Sequence, residues 1–337
     1  MTVPTSTPSK PTLDGVELYV NDGLLRPDEV APLHPSSPSE PVEQLYKRYA
    51  ADGYLFLRGL IPREDVLDAR KSYFSALEPT LFLEPNLPVV DGIFNSSSSR
   101  DDFPGIGSGQ LDLDPGSPAA RFVDAAVKSH TDSWYIGSKE EGITGFCNHP
   151  AILEFVARFT GWAENTLTVR RTLLRNNTPG NHAIGVHYDQ IYMRYGEPTS
   201  VTVWVPIGDV KLEGGGLIYL EEGYKIGERM EKEFNKKARA DGMSEDEVRN
   251  AFNANMLSSG VLSEEPREFA NTHGKKWLVA AYEAGDVVLH GAHTIHASTV
   301  NHDPEGCIRL ATDLRFVDSS KPWDTRWDKD FEIGDGV

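Results

Sequence analysis

Val186-His187-Tyr188-Asp189-Gln190 stands near the middle of the chain, where a run of bulky residues and turn formers stops. In an extended strand successive side chains alternate between faces. His187 and Asp189 therefore point the same way, an imidazole beside a carboxylate. A second histidine arriving from a distant strand completes a two-histidine, one-carboxylate set, which leaves positions open on a non-haem Fe(II). Alone, the tripeptide reads equally as a partly buried histidine beside a turn aspartate. A second segment, about a hundred residues further along the chain, decides between the two.

That later segment is Ala284-Gly285-Asp286-Val287-Val288-Leu289-His290-Gly291-Ala292-His293-Thr294-Ile295-His296-Ala297-Ser298. Gly285-Asp286 signals a turn, and Val287-Val288-Leu289 a short buried strand. After Asn301 and the polar turn Asp303-Pro304-Glu305-Gly306, a further strand is predicted over Ile308 to Phe316. It carries Arg309, thirteen positions after His296. An arginine interrupting an apolar strand calls for an anion, because a buried unpaired guanidinium is costly. The whole pattern (Gly-Asp and an apolar strand, His-x-Ser, Asn, then Arg on the next strand) resembles the phytanoyl-CoA dioxygenase family of Fe(II)/2-oxoglutarate oxygenases.

The resemblance spans residues 45 to 318, with a gap near 225–275. Tyr46 to Pro62 is similar to the family's opening of helix, Asp-Gly, strand and Gly-Leu-Ile-Pro. Thr202-Val203-Trp204-Val205-Pro206-Ile207 is similar to the strand after the His-x-Asp turn, and Gly214-Gly215-Gly216-Leu217-Ile218-Tyr219-Leu220 to the Gly-Leu strand next in order. The chain departs from the family at Glu221-Glu222-Gly223-Tyr224, where a Pro-Gly-Ser-His turn is usual.

The resemblance implies a mainly β fold with flanking helices, built on a double-stranded β-helix (jelly-roll, cupin-like) core. It implies Fe(II) held by His187, Asp189 and His296, with 2-oxoglutarate and O2 as cosubstrates. Arg309 then forks the distal carboxylate of 2-oxoglutarate, a pairing lysine cannot make with two parallel bonds. Ser298, two after His296, donates to the same carboxylate. Trp204 flanks the cosubstrate or fills the sheet core, and Asn176 reaches its other end or is an ordinary loop residue. Arg175, on the strand entering the site, holds a substrate carboxylate or a surface ion pair. Related iron halogenases lack the carboxylate ligand, so Asp189 points to hydroxylation, desaturation or ring formation. His290 and His293 read as groups behind the ligands or at the surface, and His182 as a turn residue.

Composition narrows the class. The 337 residues carry 51 acidic against 33 basic side chains, a net charge of −18. That excess argues against nucleic acid, which needs clustered Lys and Arg, and disfavours an acyl-CoA. A free small molecule, such as an amino acid or secondary metabolite, is the expected substrate. Two cysteines, Cys147 and Cys307, make neither a disulfide framework nor a zinc cluster and fit a reducing, cytoplasmic setting. No apolar stretch has transmembrane length and no signal sequence is seen, and Asp335-Gly336-Val337 is not a peroxisomal address. Oligomeric state is left open.

Residues 1–40, rich in Ser, Thr and Pro, read as a flexible or surface-draped arm. A single oxygenase domain occupies 41–337. Helices are predicted over Val42 to Ala50, from Pro62 to Leu77, and over Ala151 to Phe159. A strand is predicted over Thr166 to Leu174, and a long loop with Asn95-Ser96-Ser97-Ser98-Ser99 over 91–119, a candidate cover for the site. A helical insertion at about 225–276 is either a solvated excursion or a lid. Two other classes stay in view: a non-catalytic jelly-roll binding module, and zinc-assisted hydrolysis, which has no use for Arg309 and Ser298.

Overall fold

The computed structural model describes residues 15–106, 112–254 and 261–334. Two sheets face one another. The larger is ordered Pro35–Ser36, Tyr54–Leu57, Val287–Gly291, Val201–Pro206, Arg309–Asp318, Thr166–Thr168, with Leu173–Asn177 also paired to Arg309–Asp318. The smaller is ordered His296–Ser298, Leu217–Leu220, Trp277–Val279, Val30–Pro32. Within both sheets the pairing is antiparallel, except where Val30–Pro32 and Pro35–Ser36 join in parallel.

Period-two alternation sorts the side chains into layers. On the larger sheet Leu55, Leu57, Val201, Val203, Val205, Val287 and Leu289 face a helical layer. Tyr54, Phe56, Trp204 and Val288 face the other way and meet Leu217, Tyr219 and Leu278 of the smaller sheet. Ile218, Leu220, Trp277 and Val279 on the far side pack against Ile226, which belongs to the Gly223–Ala240 helix. Burying aromatic and branched side chains of this size stabilises by roughly 1.5–3 kcal/mol each.

Helices Val42–Asp52, Arg63–Leu77 and Pro150–Thr160 match their predicted spans within a few residues. Gly53 closes the first at φ 80°, its N–H donating to the Tyr49 carbonyl. A Cβ there would lie 2.7 Å from Tyr224 Cβ, so the Asp-Gly step also lets the insertion helix approach. That insertion comprises Gly223–Ala240, Glu245–Ala254 and Pro266–His273. Ser244 and Glu247 cap the middle helix reciprocally, at 2.7 and 3.3 Å.

The expected sheets with flanking helices are present, helices taking 36% and strands 23% of the residues. Two expectations need correction. Residues 18–36 are not a loose arm: Leu18, Val20, Leu25 and Val30 are buried, and Asn21 exchanges hydrogen bonds with the Ala183 backbone at 2.9 and 3.1 Å. Residues 1–14 of that stretch lie outside the described residues. The single strand expected over Thr166 to Leu174 is two, Thr166–Thr168 and Leu173–Asn177. Arg170 and Arg171 break it by turning to the C-terminal segment, Arg170 to Asp330 at 2.7 Å and Arg171 over the Trp327 ring at 4.8 Å.

Candidate active site

His187 and His296 are joined by backbone bonds in both directions, 3.0 and 2.9 Å, which bring two distant segments side by side. Tyr188 is extended, and the chain then turns tightly over Asp189–Ile191. Tyr188 points away, its hydroxyl on Glu231 of the insertion at 2.7 Å. His187, Asp189 and His296 are all buried, each offering a ligand atom within 4.8 Å of the others. Nδ1 of His187 bonds the Gly185 carbonyl and Nδ1 of His296 the Thr294 carbonyl, both at 2.9 Å. With the ring hydrogen committed there, each Nε2 keeps its lone pair for a metal.

The electrostatics suit a cation. Burial pushes both imidazoles down, and His187 and His290 push His296 further, so the rings are neutral, the ligating form. Burial alone would raise Asp189, but Arg315 and then His290 outweigh it and hold the carboxyl well below its usual range. Arg315 Nη2 donates to Asp189 Oδ1 at 3.0 Å, and His290 Nε2 lies 3.1 Å from Oδ2. The Thr202 hydroxyl donates to the same Oδ2. Two neutral nitrogens and one ionised oxygen, all buried, fit Fe(II) better than a thiolate-seeking metal.

Arg309 opens the long strand opposite Asn177. Its Nε donates to the Gly215 carbonyl at 3.0 Å, and burial pushes its guanidinium down to about 10, still charged at neutral pH. It borders a cavity of about 320 Å³ shared with Arg175, Asn177, Asn181, His182 and Ile184. Ser298 Oγ accepts from the Ile184 N–H at 2.9 Å, leaving the hydroxyl hydrogen free to be donated. A buried arginine beside a polar cavity fits a dicarboxylate cosubstrate.

A family model described as phytanoyl-CoA dioxygenase (PhyH) matches residues 49–309. The chain belongs to the phytanoyl-CoA dioxygenase family. It is a non-haem iron, 2-oxoglutarate-dependent dioxygenase. No curated protein sequence matches it. Among solved structures it is similar to EvdO2 from Micromonospora carbonacea var. aurantiaca complexed with 2-oxoglutarate, at 14% identity and TM-score 0.45, covering 84% of this chain and 95% of that one. It is also similar to the non-haem α-ketoglutarate-dependent carbocyclase SnoK from nogalamycin biosynthesis, at 16% identity and TM-score 0.44, covering 85% and 87%.

In this phytanoyl-CoA dioxygenase family member the expected residues divide. His187, Asp189 and His296 converge, while Arg309, Ser298 and Arg175 gather at or beside the cavity. Arg175 pairs loosely with Asp313 at 3.7 Å and acts electrostatically on both His187 and Arg309. Asn176 differs. It borders the cavity, but its amide nitrogen donates to the Tyr73 hydroxyl at 2.9 Å, on the helix side. Asn177, opposite Arg309, is the amide on the interior face. Trp204 packs edge-on to Tyr282 at 4.8 Å within the core between the sheets. Ser96 and Ser99 are exposed, and the long loop meets the cavity through Gly105 and Ile106 instead; residues 107–111 lie outside the described residues.

Sequence reasoning missed Arg315, Thr202 and the full part played by His290, which is buried and also 3.3 Å from the Tyr219 hydroxyl. Strand parity was the available signal. Arg315 is six positions beyond Arg309 and so on its face, and Thr202 shares a face with Trp204. His293 lies apart, partly exposed, its ring 5.6 Å from Tyr188.

Proposed function

We propose that the chain oxidises a free small organic molecule, such as an amino acid or secondary metabolite, by hydroxylation, desaturation or oxidative cyclisation on a double-stranded β-helix scaffold. The observation that carries this is the pairing of a buried set of two neutral histidines, His187 and His296, and an ionised Asp189 with a buried Arg309 beside a polar cavity. Bound iron supplies O2 activation coupled to the conversion of 2-oxoglutarate to succinate and CO2. His187, Asp189 and His296 would hold it, and the surrounding apolar layers would keep water out. Arg309 and Ser298 take the distal carboxylate of 2-oxoglutarate, and Arg175 faces an anionic group of the substrate.

The net charge of −18 favours a free molecule over a CoA thioester. Two cysteines, both free, are compatible with a reducing cytoplasm. No helix among the described residues is long and apolar enough to cross a membrane.

Succinate formation from 2-oxoglutarate, measured across free acids, amino acids, polyketide-like compounds and acyl-CoA thioesters, tests the reading. Substrate-dependent succinate with a free molecule is expected. Preference for a thioester would make the protein an acyl-CoA hydroxylase of the phytanoyl-CoA type. Failure to bind 2-oxoglutarate at all would make it a non-catalytic binding module.

A further inference from the structure

Arg315 is fully inside the protein, yet only one of its N–H groups is well used. Nη2 donates to Asp189 Oδ1 at 3.0 Å, while Nε and Nη1 are buried with no hydrogen-bond partner among the described residues. A buried guanidinium so poorly hydrogen-bonded needs another hold on its plane. Trp327 provides one: the guanidinium carbon lies 4.5 Å from the ring centroid.

Trp327 is itself immobilised. It is 2% exposed and packs with Val169, Met193 and Val317. Its backbone N–H donates to Asp324 and its carbonyl accepts from Arg171 at 3.1 and 3.0 Å. The indole N–H donates to the Tyr192 carbonyl at 3.4 Å, and the Tyr192 ring lies 5.8 Å from that of His187. The C-terminal segment thus reaches the back of the site through one aromatic ring.

Asp189 needs such support because it begins a tight turn and is not held in a ladder. Its two oxygens are gripped from different sides, Oδ1 by Arg315 and Oδ2 by His290 and Thr202. Removing the grip on Oδ1 would let the carboxylate rotate. We propose that Trp327 and Arg315 are positioning residues: the ring fixes the guanidinium plane, and the guanidinium fixes how Asp189 is presented to the metal. This role rests on His187, Asp189 and His296 being the metal ligands.

Co(II) serves as a spectroscopic probe of the metal-free protein. Arg315→Leu and Trp327→Ala are expected to alter the visible Co(II) spectrum and to weaken Co(II) binding by about ten- to a hundredfold, as loss of groups supporting metal ligands typically does. Trp327→Phe, which keeps a ring face, should restore the wild-type spectrum. Should Trp327→Ala not fold, Arg315→Lys decides, because it keeps the charge and loses the planar face. Folded variants with wild-type Co(II) spectrum and affinity overturn the proposal, even if their thermal stability falls. His187→Ala is the control for the underlying site. If it binds Co(II) as tightly as wild type, the metal assignment itself fails and the positioning role falls with it.

Discussion

Arg309 was legible because a charge inside an apolar strand is expensive unless something negative meets it. With Nε on the Gly215 carbonyl and the rest of the fork at the cavity wall, the geometry of the group matters as well as its charge. Arg309→Lys should weaken 2-oxoglutarate binding by more than about 1 kcal/mol, measured by titrating metal-loaded protein. Unchanged binding would leave Arg309 as a structural cation. His187→Ala should abolish iron binding and turnover together, and an iron titration of the purified variant checks it. The same level of reading singled out Asn176, which borders the cavity but turns its amide nitrogen to Tyr73. A single strand position separates it from Asn177, and nothing in a lone sequence says which of two adjacent asparagines faces inward. Its partner Tyr73 lies over a hundred residues earlier. Arg315 escaped notice for a different reason: its anion is Asp189, already assigned to the metal.

Among the elements, those with strong local signals emerged close to their observed ends: the helices Val42–Asp52 and Arg63–Leu77, and the strand Val287–Gly291. The elements that failed depend on distant partners. Residues 30–36 are too proline-rich to read as strand, and they form two short strands by adding to sheet edges beside Trp277–Val279 and Tyr54–Leu57. Trp204, left between cosubstrate wall and core, sits with Tyr282, Leu217 and Tyr219 in the core between the sheets. Trp204→Ala should therefore cost about 3–5 kcal/mol of stability, read by urea unfolding of the metal-free protein. A loss below about 1 kcal/mol would mean the indole is not part of the core. The long loop contributes Ile106 and not its exposed serines to the cavity. Ile106→Val, one methylene smaller, should lower kcat/KM by roughly tenfold, whereas Ser96→Ala should leave it unchanged. The reverse ranking would return the contact to the serine run.

The molecule as a whole joins its C-terminal segment to the helical layer through His130, which no sequence pattern singled out. Its ring stacks on Phe331 with centroids 4.2 Å apart, and Nε2 accepts from the Leu174 N–H at 3.0 Å. Accepting there requires the neutral ring, and burial pushes His130 down to about 4. An unfolded chain would protonate it near 6.5. Between those values the unfolded state binds the extra proton, so the stability His130 supplies is complete above about pH 6.5 and is lost as pH falls toward 4. By pH 4 the loss amounts to about 3 kcal/mol. His187 and His296, also pushed down by burial, act in the same direction in the metal-free protein. His130→Gln removes the titration while leaving an amide oxygen that can accept from Leu174. Its unfolding free energy, followed by urea titration from pH 7 to pH 4, should fall less steeply than that of wild type, the two curves converging at the acid end. Parallel curves would show that His130 is protonated alike in the folded and unfolded chain, and that the acid sensitivity lies elsewhere.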